Sequence, residues 1–272
     1  MKNRLRKIAC LVFAATFLLA TGQIIHHILD NRYAAQANFQ AQSIAGAIQT
    51  TPAAPSAEPV PPAANEAGAT QAPLSPDENT AFLQQLNIPT LQEVNPEVIG
   101  WIYIPNTEIS YPLLQAQDND TYLHAAWDGT KNVAGSIFLE TRCSADLTDF
   151  NTIIYGHNMR NGSMFGTLKS YRSFDFYKAH PYVYIVTDNT VYRYAIFSAY
   201  EAGITTDTYR LLFDTSEKKE LALRYYLESS VWDTGLSPTS DDSILTLSTC
   251  TGTGTYESRW VVQAMLDDQW DK

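Results

Sequence analysis

The segment from Ser243 to Leu266 constrains the fold more strongly than any other part of this chain. It contains two apolar runs joined by a short loop that is rich in Gly and Thr. In the first run, leucines alternate with small polar residues up to Cys250, which is the two-residue period of a half-buried β-strand. The pattern therefore predicts two adjacent strands around a loop, with a thiol at a strand end on the polar side.

The second run begins at Arg259, directly after the loop that follows Cys250. Glycines in this loop permit backbone angles that other residues avoid, so the chain returns a guanidinium to the neighbourhood of the thiol. One interpretation is that Cys250 is a small core residue and Arg259 a solvated strand end. The polar neighbours of the thiol and the nearby cation favour a reactive site instead.

Another strand end carries the histidine that a thiolate nucleophile needs. Asn151 to His157 reads NTIIYGH, an apolar run that ends in Gly and an imidazole. Histidine can shuttle a proton, and Arg can stabilise a developing oxyanion. The pattern thus indicates a catalytic group made of Cys250, His157 and Arg259.

Four ordered blocks of this sequence resemble a known family. Thr152 to Asn158 reads TIIYGHN, and Thr246 to Cys250 reads TLSTC with Arg259 opening the next strand. The stretches Gly100 to Gly129 and Ala134 to Glu140 are similar to the first part of the same kind of domain. Together the blocks resemble the His, Cys and Arg motifs of sortases, with class B as the closest match.

The resemblance implies a mainly β fold with peripheral helices (α+β), built as a closed sortase-type β-barrel of about eight strands. Residues 77–272 would form this catalytic domain, which begins with an N-terminal helix. Alternating apolar patterns predict strands in the matching places, and Ser216 to Ser229 has the spacing of a helix. A long helix between strands six and seven distinguishes class B from the simpler class A barrel.

The residues before this domain form two further regions. Residues 1–32 carry a basic cluster and then an apolar run from Ile8 to about Ile25, which as a helix would be roughly 27 Å long. It predicts a membrane anchor with a cytoplasmic tip, and a cleaved signal peptide is the alternative. Residues 33–76, rich in Ala, Pro and Gln, indicate an extracellular linker, in which Tyr33 to Gln49 could continue the helix and Thr51 to Ser75 is extended. The expected location is the cell membrane, with one span and an extracellular catalytic domain.

The activity implied by the resemblance is transpeptidation. Cys250 would attack the carbonyl after Thr in a C-terminal sorting signal of the LPXTG or NPXTN type and form a thioacyl enzyme. His157 would protonate the leaving amine and later accept a proton from the incoming amine of a cell-wall peptide, typically that of lipid II. Arg259 would hold the substrate carbonyl or its developing oxyanion.

Three further residues match the substrate groove of class B sortases, namely Asn119, Leu123 and Ser248. Asn119 also suits the cap of a short helix over Asp118 to His124, so a structural role stays open. Thr251 stands where several class B enzymes carry an acidic residue. No cofactor is implied, because a thiolate, an imidazole and a cation suffice, and no Cys and His cluster has the spacing of a zinc site.

Charge and cysteine content bear on the partners. A formal net charge of −11 argues against nucleic acid, and three cysteines give no disulfide framework. The expected partners are surface proteins with a sorting signal, an acceptor amine and the membrane. A class B pilin polymerase that uses a pilin lysine and a non-catalytic surface adhesion module stay open as alternatives. A papain-like peptidase is disfavoured because its Cys usually precedes its His.

Overall fold

The computed structural model describes residues 32–47, 76–250 and 258–272, together with positions 13, 16, 17 and 20–22. The side chains of residues 76–80 and of Cys250 lie outside this description. Within the described residues, eight strands form one closed barrel, and helices pack around its outside. The predicted mainly β architecture with peripheral helices is confirmed.

The strands coincide with the apolar runs of the sequence. They are β1 (Val98–Tyr103), β2 (Ser110–Leu114), β3 (Ile137–Leu139), β4 (Asn151–His157), β5 (Tyr182–Val186), β6 (Thr190–Gly203), β7 (Ile244–Cys250) and β8 (Ser258–Asp271). The α-helices are α1 (residues 32–44), α2 (Pro76–Gln85), α3 (Ile88–Gln92), α4 (Phe174–Ala179) and α5 (Ser216–Ser229). Short 3₁₀ helices cover Thr121–Leu123, Gly166–Arg172 and Asp207–Tyr209. The long helix α5 lies between β6 and β7, as the sequence predicted.

The strand order around the barrel is β1-β2-β3-β4-β7-β8-β6-β5. Two neighbouring pairs, β2 with β3 and β4 with β7, are parallel, and the other pairs are antiparallel. Parallel neighbours need a long crossover connection, and the chain between β4 and β7 supplies one that contains β5, β6 and α5. As a result, the C-terminal ends of β4 and β7 lie side by side at one rim of the barrel.

Buried side chains form an interior core and two outer layers. Aliphatic residues such as Ile102, Ile154 and Leu247 fill the barrel interior and are fully buried. Outside the barrel, α5 buries Tyr226 against β6 and β8, and α2 and α3 bury their leucines against β1. Burial of apolar surface is the main stabilising contribution to such a fold. The outer layers explain why several strands are apolar on both faces.

Helix α1 lies against the barrel domain. Its buried Ala41 and the following Ala45 join the same apolar layer as α2 and α3, and its buried Ala34 packs with the interior core. The Trp127 indole N–H donates to the Ala37 carbonyl at 2.8 Å, and the Asn87 backbone N–H donates to the Ala45 carbonyl at 2.9 Å. The first part of the predicted linker therefore contacts the barrel, whereas residues 48–75 lie outside the described residues.

The predicted membrane anchor needs correction. Among the residues that the structure describes, no helix has both the length and the apolarity that crossing a bilayer requires. The prediction of a single-pass protein of the cell membrane is therefore not upheld. Most of the apolar run from Ile8 to Ile25 falls outside the described residues.

Candidate active site

His157 and Cys250 end two neighbouring parallel strands. β4 and β7 pair along their whole length, from Asn151 opposite Ile244 to His157 opposite Cys250. The C-terminal ends of both strands are at the same rim of the barrel, so residues that are far apart in the chain become direct register partners. The rim thus combines an imidazole-bearing and a thiol-bearing position.

The close approach at this rim requires a glycine. Gly156 precedes His157, and a Cβ atom at its position would lie 2.4 Å from Cδ1 of Ile137 and 2.8 Å from the ring of Phe165. Both distances are far shorter than a normal van der Waals contact. β4 therefore fits between its neighbours only where it carries no side chain, and this fit sets the position of His157.

The His157 imidazole is held by the turn Thr121–Leu123. Its Nε2 lies 2.9 Å from the Leu123 carbonyl oxygen, which can only accept a hydrogen bond. Nε2 therefore carries a proton, and in the neutral ring Nδ1 is the nitrogen that can take up another. Gly135 faces the ring, since a Cβ there would be 2.9 Å from Cδ2 of His157.

The surroundings of His157 favour its neutral form. Burial lowers the pKa of His157 below its ordinary value of 6.5. The positive charges of His124 and Arg259 lower this pKa further, while the hydrogen bond to the Leu123 carbonyl acts in the opposite direction. An imidazole that is neutral near pH 7 can accept a proton from a thiol or an amine.

A pocket of about 340 Å³ opens beside this rim. It is lined by Asn119, Leu123, Phe138, Arg142, Tyr155, Ile204, Tyr209 and Arg259. Asn119, Leu123 and Arg259 are sequence-predicted site residues. Arg259 lies near the start of β8, opposite Ala202 of β6. The pocket has apolar walls with a few convergent polar groups, which is typical of a ligand site.

Ser248, the remaining groove residue suggested by the sequence, lies one layer behind this pocket. Its side chain is fully buried, and its hydroxyl oxygen is 3.0 Å from the hydroxyl of Tyr209. Tyr209 itself lines the pocket. Ser248 therefore supports a lining residue in this structure.

The sequence did not single out the other lining residues or the carboxylate beneath them. Tyr155 precedes His157 by two positions on β4, so strand alternation places both side chains on one face and could have identified it. Glu140 follows β3 and is buried under the pocket wall. The sequence pattern did not predict this buried position of Glu140, because an acidic residue after a short apolar strand is typical of a solvated strand end.

The pocket offers hydrogen-bonding groups rather than a cluster of metal ligands. In the part of the chain that the structure describes, no group of three or more His, Cys, Asp or Glu side chains could hold a metal ion. The polar lining groups are two guanidinium groups, a carboxamide and two phenols. These groups suit the carbonyl and amide groups of a peptide.

Comparison with known proteins finds related sequences. The family model for the sortase domain matches residues 102–267. Sortase B of Listeria monocytogenes is 41% identical over 179 residues, which cover 65% of this chain and 72% of that protein. Sortase B of Staphylococcus aureus is 30% identical over 161 residues, which cover 59% of this chain and 66% of that protein.

Solved structures show the same barrel. Sortase B from Bacillus anthracis in complex with AAEK1 aligns with a TM-score of 0.68 at 30% identity, over 88% of this chain and 98% of that one. A Staphylococcus aureus sortase B-substrate complex aligns with a TM-score of 0.64 at 28% identity, over 71% of this chain and 91% of that one. The fold described above therefore belongs to a shared architecture.

Proposed function

This chain belongs to the sortase family of cysteine transpeptidases, and from that premise we propose that it cleaves a C-terminal sorting signal of the LPXTG or NPXTN type after Thr. Its relatives are sortase B proteins, so the class B assignment is confirmed. The Staphylococcus aureus relative forms a complex with its substrate. That complex supports the proposal that the pocket of this chain binds a substrate.

The register pairing of His157 with Cys250, beside a pocket that Arg259 lines, is the observation that carries the proposal. In the first step, neutral His157 takes the proton of the Cys250 thiol, the sulfur bonds to the carbonyl carbon after Thr, and the C–N bond to the next residue breaks. The released amine then takes this proton from His157. The products are a thioester on Cys250 and a free amine peptide.

His157 serves both half-reactions as a proton carrier. The Leu123 carbonyl oxygen accepts a hydrogen bond from Nε2–H. The proton that is transferred is therefore the one on Nδ1. In the second step, an incoming amine gives a proton to neutral His157 and attacks the thioester, and Cys250 leaves as the thiolate. A pKa of His157 below 6.5 suits this acceptance of a proton at neutral pH.

Arg259 would stabilise the oxyanion that develops on the carbonyl oxygen in both steps. A guanidinium in a partly buried pocket interacts with such a charge more strongly than it would in water. The proposed acceptor is the amine of a cell-wall peptide, which gives an amide-linked protein as the product. A pilin lysine would give a ladder of protein polymers, so the size of the product distinguishes the two acceptors.

Intact-mass spectrometry of the full chain with sorting-signal peptides tests the proposed chemistry. We expect the wild-type protein to gain the mass of the acyl fragment, and the Cys250→Ala variant to gain none, because the alanine carries no nucleophile.

Cys143→Ala is the matched control for this experiment. The Cys143 thiol is buried, and burial raises its pKa to about 11, so it is an unreactive thiol at neutral pH. The control should form the adduct at the wild-type level. The proposal would be contradicted if Cys250→Ala formed the adduct. It would also be contradicted if the folded wild-type protein formed no adduct with any peptide of the set.

A further inference from the structure

A buried carboxylate joins three parts of the pocket wall. Glu140 follows β3 directly and is only 2% exposed. Its two oxygens contact the side chains of Asn119, Arg142 and Tyr155, and all three of these residues line the pocket. Glu140 therefore connects the segment before the turn Thr121–Leu123, the loop after β3 and the strand β4.

All three neighbours of Glu140 are hydrogen-bond donors. Its Oε1 accepts from the Arg142 Nε–H at 2.7 Å, and its Oε2 accepts from Asn119 Nδ2 at 2.8 Å and from the Tyr155 hydroxyl at 3.1 Å. Only an ionised carboxylate offers acceptors to all three at once. A carboxamide or a protonated acid would turn one acceptor into a donor. The network therefore requires a negative charge at this position.

The carboxamide of Asn119 cannot turn over to compensate for a change at Glu140. Its Oδ1 accepts from the Thr141 backbone N–H at 2.9 Å, while its Nδ2 donates to Glu140. A flipped amide would place two acceptors together at Glu140 and two donors together at Thr141. Asn119 is thus fixed in one orientation, with its second Nδ2–H left for a ligand.

The charge of Glu140 is compensated within the network. Burial raises the pKa of Glu140, but the hydrogen bonds from Arg142, Asn119 and Tyr155 outweigh burial and lower this pKa overall. Arg142 reaches the carboxylate through Nε. Its side chain is still 69% exposed, which leaves its terminal N–H groups at the pocket surface.

We infer that Glu140 is a positioning residue for the peptide substrate. It orients Asn119, Arg142 and Tyr155 so that the pocket wall presents N–H donors and one phenolic oxygen to the carbonyl and amide groups of an extended peptide. The inference rests on the proposed function, because it concerns the same pocket. Glu140 acts through these three side chains, so its removal affects peptide binding more than the chemical step.

Steady-state cleavage of a sorting-signal peptide by the full chain tests this role. For Glu140→Gln we expect kcat/KM to fall about tenfold, with most of the loss in KM, because one of the three donors is left facing another donor. Asp267→Asn is the matched control. Asp267 also accepts from an arginine Nε–H, that of Arg193 at 2.6 Å, and neither residue lines the pocket, so the KM of this variant should stay at the wild-type value.

A double-mutant cycle separates positioning from a general loss of structure. If Glu140 acts through Asn119, Glu140→Gln should raise KM by a much smaller factor in an Asn119→Ala background than in the wild type. Fully additive effects of the two substitutions, or a loss confined to kcat, would overturn the inference.

Failure of the inference can be told apart from failure of the proposed function. A wild-type enzyme that forms the thioester while Glu140→Gln keeps the wild-type KM overturns only the role of Glu140. If the wild-type protein cleaves no peptide, the side-chain amide signals of Asn119 in NMR spectra still decide the inference. These signals should shift and exchange faster with solvent in Glu140→Gln, and unchanged signals would overturn it.

Discussion

A single contact defines the proton chemistry of His157. Because the Leu123 carbonyl accepts from Nε2, the ring can use only Nδ1 for transfer, and the two nitrogens are no longer equivalent. The positive charge of Arg259 acts on the same ring and lowers its pKa. Arg259 therefore has a second effect besides the proposed binding of an oxyanion, since it helps to keep the proton acceptor neutral.

We expect the pKa of His157 to rise when Arg259 is replaced by Gln, because the substitution removes a positive charge that disfavours the imidazolium. NMR titration of the histidine ring protons in a Cys250→Ala background measures this pKa. Arg193→Gln is the control, since Arg193 sits at the other end of β6 and pairs with Asp267. Arg193→Gln should leave the pKa of His157 unchanged. A pKa of His157 that stays the same or falls in Arg259→Gln would disprove the expected effect of the Arg259 charge.

The sequence identified the residues whose chemistry is distinctive and missed those that only support them. Cys250 and His157 stand out because each ends an apolar strand, and the structure makes them register partners. Asn119 was open to two interpretations, as a helix cap or as a groove residue. In the structure Asp118 accepts the turn's backbone N–H groups, and Asn119 binds Glu140. That bond joins distant segments, so no local pattern could predict it.

At the scale of elements, the loop before β3 limits the movement of His157. Gly135 has a positive φ of 60°, and a Cβ atom there would lie 2.5 Å from the Tyr122 carbonyl oxygen and 2.9 Å from Cδ2 of His157. The turn Thr121–Leu123 and the end of β4 therefore meet at a position that only glycine can occupy. Any side chain would push the ring or its hydrogen-bond partner away.

Gly135→Ala should reduce kcat/KM by more than about tenfold, because a small displacement of a catalytic group has a large effect on rate. Gly129→Ala is the matched control, since Gly129 also has a positive φ, of 82°, but a Cβ there would meet nothing within 4 Å. Backbone strain should cost both variants about 1 kcal/mol of unfolding free energy, and Gly135→Ala should lose more, because its Cβ also overlaps the Tyr122 carbonyl oxygen. Urea unfolding and peptide cleavage measure the two effects, and equal activities would refute the role of the contact.

Most of the barrel could be predicted at the level of its elements, but the way it closes could not. The two-residue period marked the strands, and the spacing of leucines marked α5 at Ser216–Ser229. The pairing of β4 with β7 is non-local and leaves no trace in either segment, so the closed barrel came from the family resemblance. The docking of α1 was missed because its buried face consists of alanines, which are also typical of linkers.

At the scale of the whole molecule, α1 joins segments that are distant from one another. It accepts a hydrogen bond from Trp127, and its Asn38 amide lies 3.8 Å from the Met164 sulfur. Phe165, the next residue after Met164, donates its backbone N–H to the His157 carbonyl at 2.9 Å. The helix thus supports the outer layer of the barrel and also touches the loop that follows β4, the strand that carries His157.

Removing residues 1–47 should lower the melting temperature by about 5 °C relative to removing residues 1–31, because the loss of α1 uncovers apolar surface. Differential scanning calorimetry of the two truncated chains measures the difference. Trp127→Phe removes the hydrogen bond to Ala37 and some packing of a buried ring, so it should destabilise the chain that keeps α1 more than the other. Equal melting temperatures for the two truncated chains would show that α1 adds nothing to the fold.

The parallel pairing of β4 with β7 also has a consequence for folding kinetics. The elements β5, β6 and α5 lie between these two strands in the chain, and contacts between such distant segments form slowly. The thiol-bearing and imidazole-bearing strands therefore meet only when the barrel closes. A chain that has not completed its fold has not brought His157 and Cys250 together, so the proposed reaction with peptides is delayed until the native topology is reached.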